Sequence, residues 1–207
     1  MNANFLHLIY ASLAPGLALA LLFLGRNPHL SRQRTVISLL LALGILFIPL
    51  GQFSVVRWIA LLEPNPSVTL TILLLIALIA RAGGPRFFRP QDWRAAWLFG
   101  SMASLILYPT ALGLTKFDAY TWGWSPILPL ATAAVTTILL LKHNRFGIFL
   151  LLALWGMVVH PMESTNAWDC LIDPCYAIFS LVATIILFVR YKISTGHSGS
   201  ARRNALP

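Results

Sequence analysis

Charge is scarce in this chain. Of its 207 residues only 10% are charged and just six are acidic, while 58% are apolar and the mean hydropathy is +0.77. A water-soluble globule of this length needs more polar surface than that to cover itself, so the shortage excludes an ordinary soluble domain and makes a bilayer the expected solvent. The familiar catalytic signatures are also missing: there is no Walker loop, no dinucleotide fingerprint, no His-Glu-x-x-His and no Gly-x-Ser-x-Gly. The last apolar run contains no lysine that could carry a Schiff-base chromophore. No charged residue sits in the middle of any long apolar run, which argues against a pump built on an intramembrane proton relay. Cysteine is limited to Cys170 and Cys175, whose spacing without matching ligands is a poor zinc signal. The net charge of +9 is spread singly or in short groups between apolar runs, as in membrane loops, and this excludes nucleic acid as a partner.

What the chain does have is a series of apolar runs long enough to cross ~30 Å of hydrocarbon. The expected fold is all-α, a polytopic transmembrane bundle of about seven spans, placed at about 5–25, 35–56, 66–81, 95–114, 126–141, 146–161 and 174–190. Residues 1–190 form one helical domain, and 191–207 a basic, mobile cytoplasmic tail. No basic residue precedes the first apolar run and Arg26, Arg32 and Arg34 follow it, the reverse of a secretory signal, so the first helix is expected to be retained with its start outside. Alternating the connections puts 26–34, 82–94, 142–145 and 190 onward inside, with thirteen of the fifteen Lys and Arg once the helix-end Arg81 is counted with them; only Arg57 and Lys116 stay outside. Glu63, Asp118, Glu163, Asp169 and Asp173 then fall outside and Asp92 inside. The one Asn-x-Ser is spoiled by Pro66, which favours a bacterial inner membrane over a secretory-pathway membrane. Membrane lipids are the first expected partners.

Three helices returning from outside share a start signal: Asn65-Pro66, Ser125-Pro126 and Asp173-Pro174, each a capping side chain before a proline suited to the first helical position. From each proline to the next basic residue is only 15 or 16 positions, roughly 24 Å of helix. Either the bilayer thins or the helices run past these bounds, or the outer loops sink to line a recess.

The richest outer stretch, HPMESTNAWDCLIDPC, brings His160, Glu163, Asp169 and Asp173 together. Such groups serve as acid and base or hold a divalent cation, and they are the candidate catalytic residues. Asp173 as a helix cap and Glu163 as a solvated side chain is the simpler structural alternative. The loop KFDAYTWGW carries Asp118, Tyr120, Trp122 and Trp124, an interfacial aromatic belt or a headgroup-binding surface; with Glu63 and Trp168 these are the substrate-binding candidates. Arg57 is placed to pair with Glu63, and residues 54–62 are alternatively a short interfacial helix. Cys170 and Cys175 are candidates for a disulfide that would fix Asp169 against Asp173.

Three functions follow in order. The first is a non-catalytic subunit or partner-binding protein of the bacterial envelope, with a membrane or periplasmic protein partner. The second is an enzyme acting at the outer leaflet on a lipid-linked or headgroup substrate. The third is a small transporter or lipid translocator, for which the spans offer little polar path beyond scattered Ser and Thr and the breaks at Pro49 and Pro109.

Overall fold

The computed structural model describes residues 3–25, 32–159 and 164–203, and over them the chain is almost wholly helical, in keeping with the all-α expectation. In chain order the elements are α1 (Ala3–Leu24), α2 (Arg32–Leu46), a hairpin of β1 (Pro49–Leu50) and β2 (Phe53–Ser54), α3 (Val55–Leu62), α4 (Val68–Arg81) and α5 (Pro90–Ala111). A 3-10 helix, η1 (Ala119–Trp124), follows, then α6 (Ile127–Leu141), α7 (Phe146–Val159), α8 (Ala167–Leu171) and α9 (Pro174–Arg203). Two segments, His7–Leu24 and Pro174–Ile193, are long and apolar enough to cross a membrane; α4, α6 and α7 are apolar but shorter.

The second apolar run does not form one helix. It stops at Leu46, because Pro49 brings no N–H to a helical ladder and Gly51, at a φ of +69°, turns the chain into the β1–β2 hairpin. Glycine at the first of two central residues is the favoured hairpin turn. Residues 55–62 are then a separate short helix, the alternative weighed for that stretch. The start signals also shift. Ser67, not Asn65, caps α4, its Oγ accepting from Leu70 N at 3.1 Å. Ser125 Oγ reaches Ile127 N only at 3.4 Å, with Pro126 itself in the cap position of α6. Asp173 caps α9 as expected, Oδ1 accepting from Tyr176 N at 2.7 Å. At its far end α9 stays helical to Arg203, past the expected end near 190, with no proline between 174 and 207 to stop it.

The bundle has two chemically distinct ends. At the acidic end Tyr10 donates to Pro66 O at 2.8 Å and Trp168 Nε1 to Ala119 O at 2.8 Å, bringing together the start of α1, the α3–α4 link, η1 and α8. At the basic end Arg81 donates to Gly25 O, Arg89 to His143 O and Arg145 Nη1 to Phe87 O at 2.8 Å. Between the ends α5 and α9 meet at Gly100, where a Cβ would fall 2.8 Å from Ser180 Cβ and 2.9 Å from Tyr176 Cζ. That approach lets Ser101 and Thr184 share a hydrogen bond of 2.8 Å and Tyr176 donate to Ala96 O at 2.7 Å. The main apolar core, including Leu73, Phe146, Leu150 and Leu171, lies among α4, α5, α7, α8 and α9.

One buried carboxylate organises the basic end. Asp92 is fully buried, and its Oδ2 accepts from Arg89 N at 2.8 Å and Arg89 Nε at 3.3 Å, while Oδ1 accepts from Arg145 N at 3.0 Å. Burial pushes this carboxyl up, but the two backbone N–H groups and the Arg89 guanidinium outweigh it and hold it below the ordinary carboxylate range. Asp92→Ala leaves both N–H groups without an acceptor, and we expect a loss of about 2–4 kcal/mol in reversible unfolding. Because the folded value is depressed, the stabilisation is present above the unfolded pKa and is lost as pH falls through the folded one. Asp92→Asn should therefore flatten the acid limb of a Tm-against-pH curve; an unchanged limb would show that Asp92 does not set it.

Candidate functional site

At the acidic end the local chain builds a recess from four separate segments. Glu63 closes α3, with its N–H bonded to Ile59 O at 2.9 Å, so its side chain leaves where the chain turns toward α4. Tyr108 comes from the last turn of α5 and Tyr120 from η1, which starts where Asp118 Oδ1 accepts from Tyr120 N at 2.9 Å. Asp169 lies in α8, which starts where Asn166 Oδ1 accepts from Trp168 N at 2.9 Å. Asp173 follows at the head of α9.

Together Glu63, Asn65, Tyr108, Tyr120, Asp169 and Asp173 line a cavity of ≈ 320 Å³, and no described Lys, Arg or His contributes to its wall. The three carboxylates are not equivalent. Asp173 is buried and committed: besides capping α9 it accepts from Ser67 N through Oδ2 at 2.7 Å. Asp169 Oδ2 accepts from the Tyr120 hydroxyl at 3.2 Å. Burial, and then the charge of Asp169, push that hydroxyl up to about 12, so it stays a proton donor to the carboxylate. Glu63 is pushed up to about 7, first by burial and then by the negative charge of Asp173, against a partly compensating backbone bond from Asn65. A carboxyl that exchanges its proton near neutrality is suited to general acid–base work.

The other candidates sort differently. Asp118 is exposed and serves η1. Trp122 packs against Phe117 with ring centroids 4.8 Å apart, and Trp124 is exposed and T-shaped to Tyr120 at 5.0 Å; neither lines the recess. Trp168 is a buried strut between α8 and η1 rather than a binding surface. Gly123 is required beside it, since a Cβ there would run into the Asn166 amide, which also donates to Tyr120 O at 3.1 Å. His160 and Glu163 lie outside the described residues. Among the described residues no group of three or more His, Cys, Asp or Glu could hold a metal ion, so the divalent cation gains no ligand set from them.

Two expected pairings do not form. Cys170 and Cys175 are free thiols, because Cys170 faces inward from α8 whereas Cys175 sits exposed on the first turn of α9. Burial, then Asp169, push the Cys170 thiol up to about 12, leaving it unreactive. Arg57 and Glu63 make no ion pair: Arg57 lines a separate cavity of ≈ 270 Å³ with His7, Phe53 and Pro64, and Pro64 lines the recess as well. Tyr108 was not picked out from sequence, because a tyrosine near a helix end reads simply as an interfacial anchor. Comparison with protein families, curated proteins and solved structures finds no match to this chain.

Asp173→Ala removes the acceptor of two helix starts and should cost about 2–4 kcal/mol, whereas Asp169→Asn should cost under about 1 kcal/mol. Equal losses in paired denaturation curves would refute this division of labour. Glu63 has the opposite pH behaviour to Asp92. With its folded value raised, its contribution is fully present below the ordinary pKa near 4.5 and is lost as pH rises through about 7. Glu63→Gln should thus raise Tm at pH 8 by on the order of 2 °C and leave it unchanged at pH 5; a shift of the same size at both would separate the effect from titration.

Proposed function

We propose that this is a polytopic protein of a bacterial inner membrane, crossing it about seven times with the acidic end outside, and that the recess receives the cationic headgroup of an outer-leaflet lipid or lipid-linked substrate. The observation that carries the reading is the cavity whose walls bring Glu63, Asp169, Tyr108 and Tyr120 together with no basic side chain among the described residues. Such a site attracts positive charge and offers hydrogen-bond acceptors at the level where headgroups lie.

The membrane part of the reading draws on three features. Large apolar side chains are exposed along the long helices, among them Leu22, Leu40, Leu105, Leu130, Val158 and Phe188. In water such a surface would be a severe liability. Among the described residues, seven helices of fourteen residues or more lie at the seven apolar runs. Among the described Lys and Arg all but Arg57 and Lys116 belong to the basic end, the bias that the positive-inside rule describes. Within the recess Glu63 takes the role of the proton-exchanging group, and Asp169, steadied by Tyr120, that of the fixed counter-charge. A non-catalytic subunit is the second reading, favoured by the commitment of Asp173 to the helix starts, which leaves one carboxylate fewer for chemistry.

An impermeant maleimide should label the exposed Cys175 in intact spheroplasts; labelling only after lysis would invert the topology. Purified protein should bind dihexanoylphosphatidylethanolamine more tightly at pH 8 than at pH 6, as Glu63 ionises, and prefer it to dihexanoylphosphatidylglycerol. Glu63→Gln should weaken that binding about tenfold, the scale of one charge-assisted hydrogen bond. Equal binding of both lipids, untouched by the substitution, would rule the headgroup site out.

A further inference from the structure

Below the Asp173–Ser67 contact, α4 and α9 run the same way and separate. They leave a groove of ≈ 360 Å³ whose walls include Leu70, Leu74 and Ala77 of α4 and Phe179, Ala183 and Ile186 of α9. Its floor is Trp93 and Trp97 of α5, stacked at 5.5 Å with 21° between their planes. Every lining side chain is apolar or aromatic. From Leu70 to Ala77, and from Phe179 to Ile186, the groove is about 10 Å long.

Both walls end in the same way. One helical turn beyond Ala77, on the same face of α4, is Arg81; one turn beyond Ile186, on the same face of α9, is Arg190. Arg190 is exposed, and its side chain makes no hydrogen bond or ion pair among the described residues. Arg81 gives one N–H to Gly25 O and has further donors in its fork. An apolar slot closed at one end by a helix pin, with an arginine one helical turn past the other end on each wall, is complementary to a chain that is apolar along its length and anionic at its end. A partner helix would instead need apolar contact past the level of the arginines.

We propose that this groove holds an acyl chain of an anionic phospholipid of the basic-end leaflet, with its phosphate between Arg81 and Arg190. The proposal rests on the membrane reading above but not on the headgroup recess at the opposite end. Each arginine at the membrane surface contributes about fivefold to the preference for an anionic lipid.

The test is tryptophan quenching in reconstituted vesicles. The full chain is placed in phosphatidylcholine vesicles carrying, at equal mole fraction, acyl-brominated phosphatidylglycerol or acyl-brominated phosphatidylcholine. The signal of Trp93 and Trp97 is obtained by difference from a Trp93→Phe/Trp97→Phe double variant. Brominated phosphatidylglycerol should quench that signal several-fold more steeply than brominated phosphatidylcholine. Arg190→Gln should reduce the difference about fivefold, and Ala183→Leu, which fills the slot, should abolish quenching by either lipid at these two rings. Native mass spectrometry of the same variants supplies an independent readout, with bound phosphatidylglycerol retained by the parent and reduced about fivefold in Arg190→Gln. Equal quenching by both lipids would overturn the anionic assignment. No quenching at Trp93 and Trp97 while other tryptophans respond would mean that protein covers the groove. Failure of the chain to float with the vesicles would overturn the membrane reading itself, while loss of the Glu63 effect alone would leave the groove standing.

Discussion

Two backbone N–H groups from distant parts of the chain meet on one carboxylate. Ser67 and Tyr176 are 109 positions apart, yet both donate to Asp173, at 2.7 Å each. Both sit at helix starts, where the macrodipole favours negative charge and where unsatisfied N–H groups are costly to bury. A single ion thereby stabilises two helix ends at once and fixes them side by side at one level. Much of the acidic end depends on that arrangement. The α3–α4 link must pass close to α8, which carries Glu63 to the same cavity as Asp169 and Tyr120. The helices below can diverge because they are tied above, which opens the groove over Trp93 and Trp97.

The basic end repeats the device with different parts. Asp92 also accepts backbone N–H groups from two segments, those of Arg89 and Arg145, and it too is buried. It adds a guanidinium from Arg89, so its charge is locally compensated, while Asp173 lies near two other carboxyl groups. This difference is why the two ends respond oppositely to pH. The compensated carboxylate is held ionised, whereas crowding and burial at the acidic end keep a proton on Glu63.

Some of this was legible in the sequence and some was not, for identifiable reasons. Asp173 followed by Pro174 announced a helix start, since proline at the first helical position and a carboxylate before it are local signals. That the same carboxylate also serves Ser67 is a tertiary fact with no local trace. Charge alternation groups Asp92 with the basic loops and gives it no role, although Pro90-Gln91-Asp92 places an acid at the third helical position, where it can reach back to the Arg89 N–H. Hydropathy makes 35–56 look continuous because it does not distinguish a helix from an apolar hairpin; Pro49 and Gly51 are the local signals of the break. Charge bookkeeping gathered the acidic residues at one end, but which of them face a common cavity depends on how η1 and α8 pack, and that is decided by Gly123, Asn166 and Trp168.

The level set by Asp173 also resolves an apparent mismatch in helix length. α4 has fourteen residues and α9 thirty, which correspond to about 21 Å and 45 Å beside a hydrocarbon layer of ~30 Å. Two parallel helices tied at their starts must take the whole of that difference at their far ends. The surplus of α9 therefore projects from the basic end, where Arg190 and Lys192 lie, and the rest of the chain makes up the shortfall of α4 at the acidic end. There η1 and α8 lay Ala119, Trp168, Leu171 and Ile172, all buried, across the tops of the helices. These short elements extend the apolar thickness of the bundle without a longer α4, and the Ala119 and Tyr120 carbonyls of η1 accept from the Trp168 indole and the Asn166 amide rather than being left bare. In the proposed membrane setting, the sunken outer loops are therefore what permits a short helix, and the recess is the space they leave between Glu63 and Asp169.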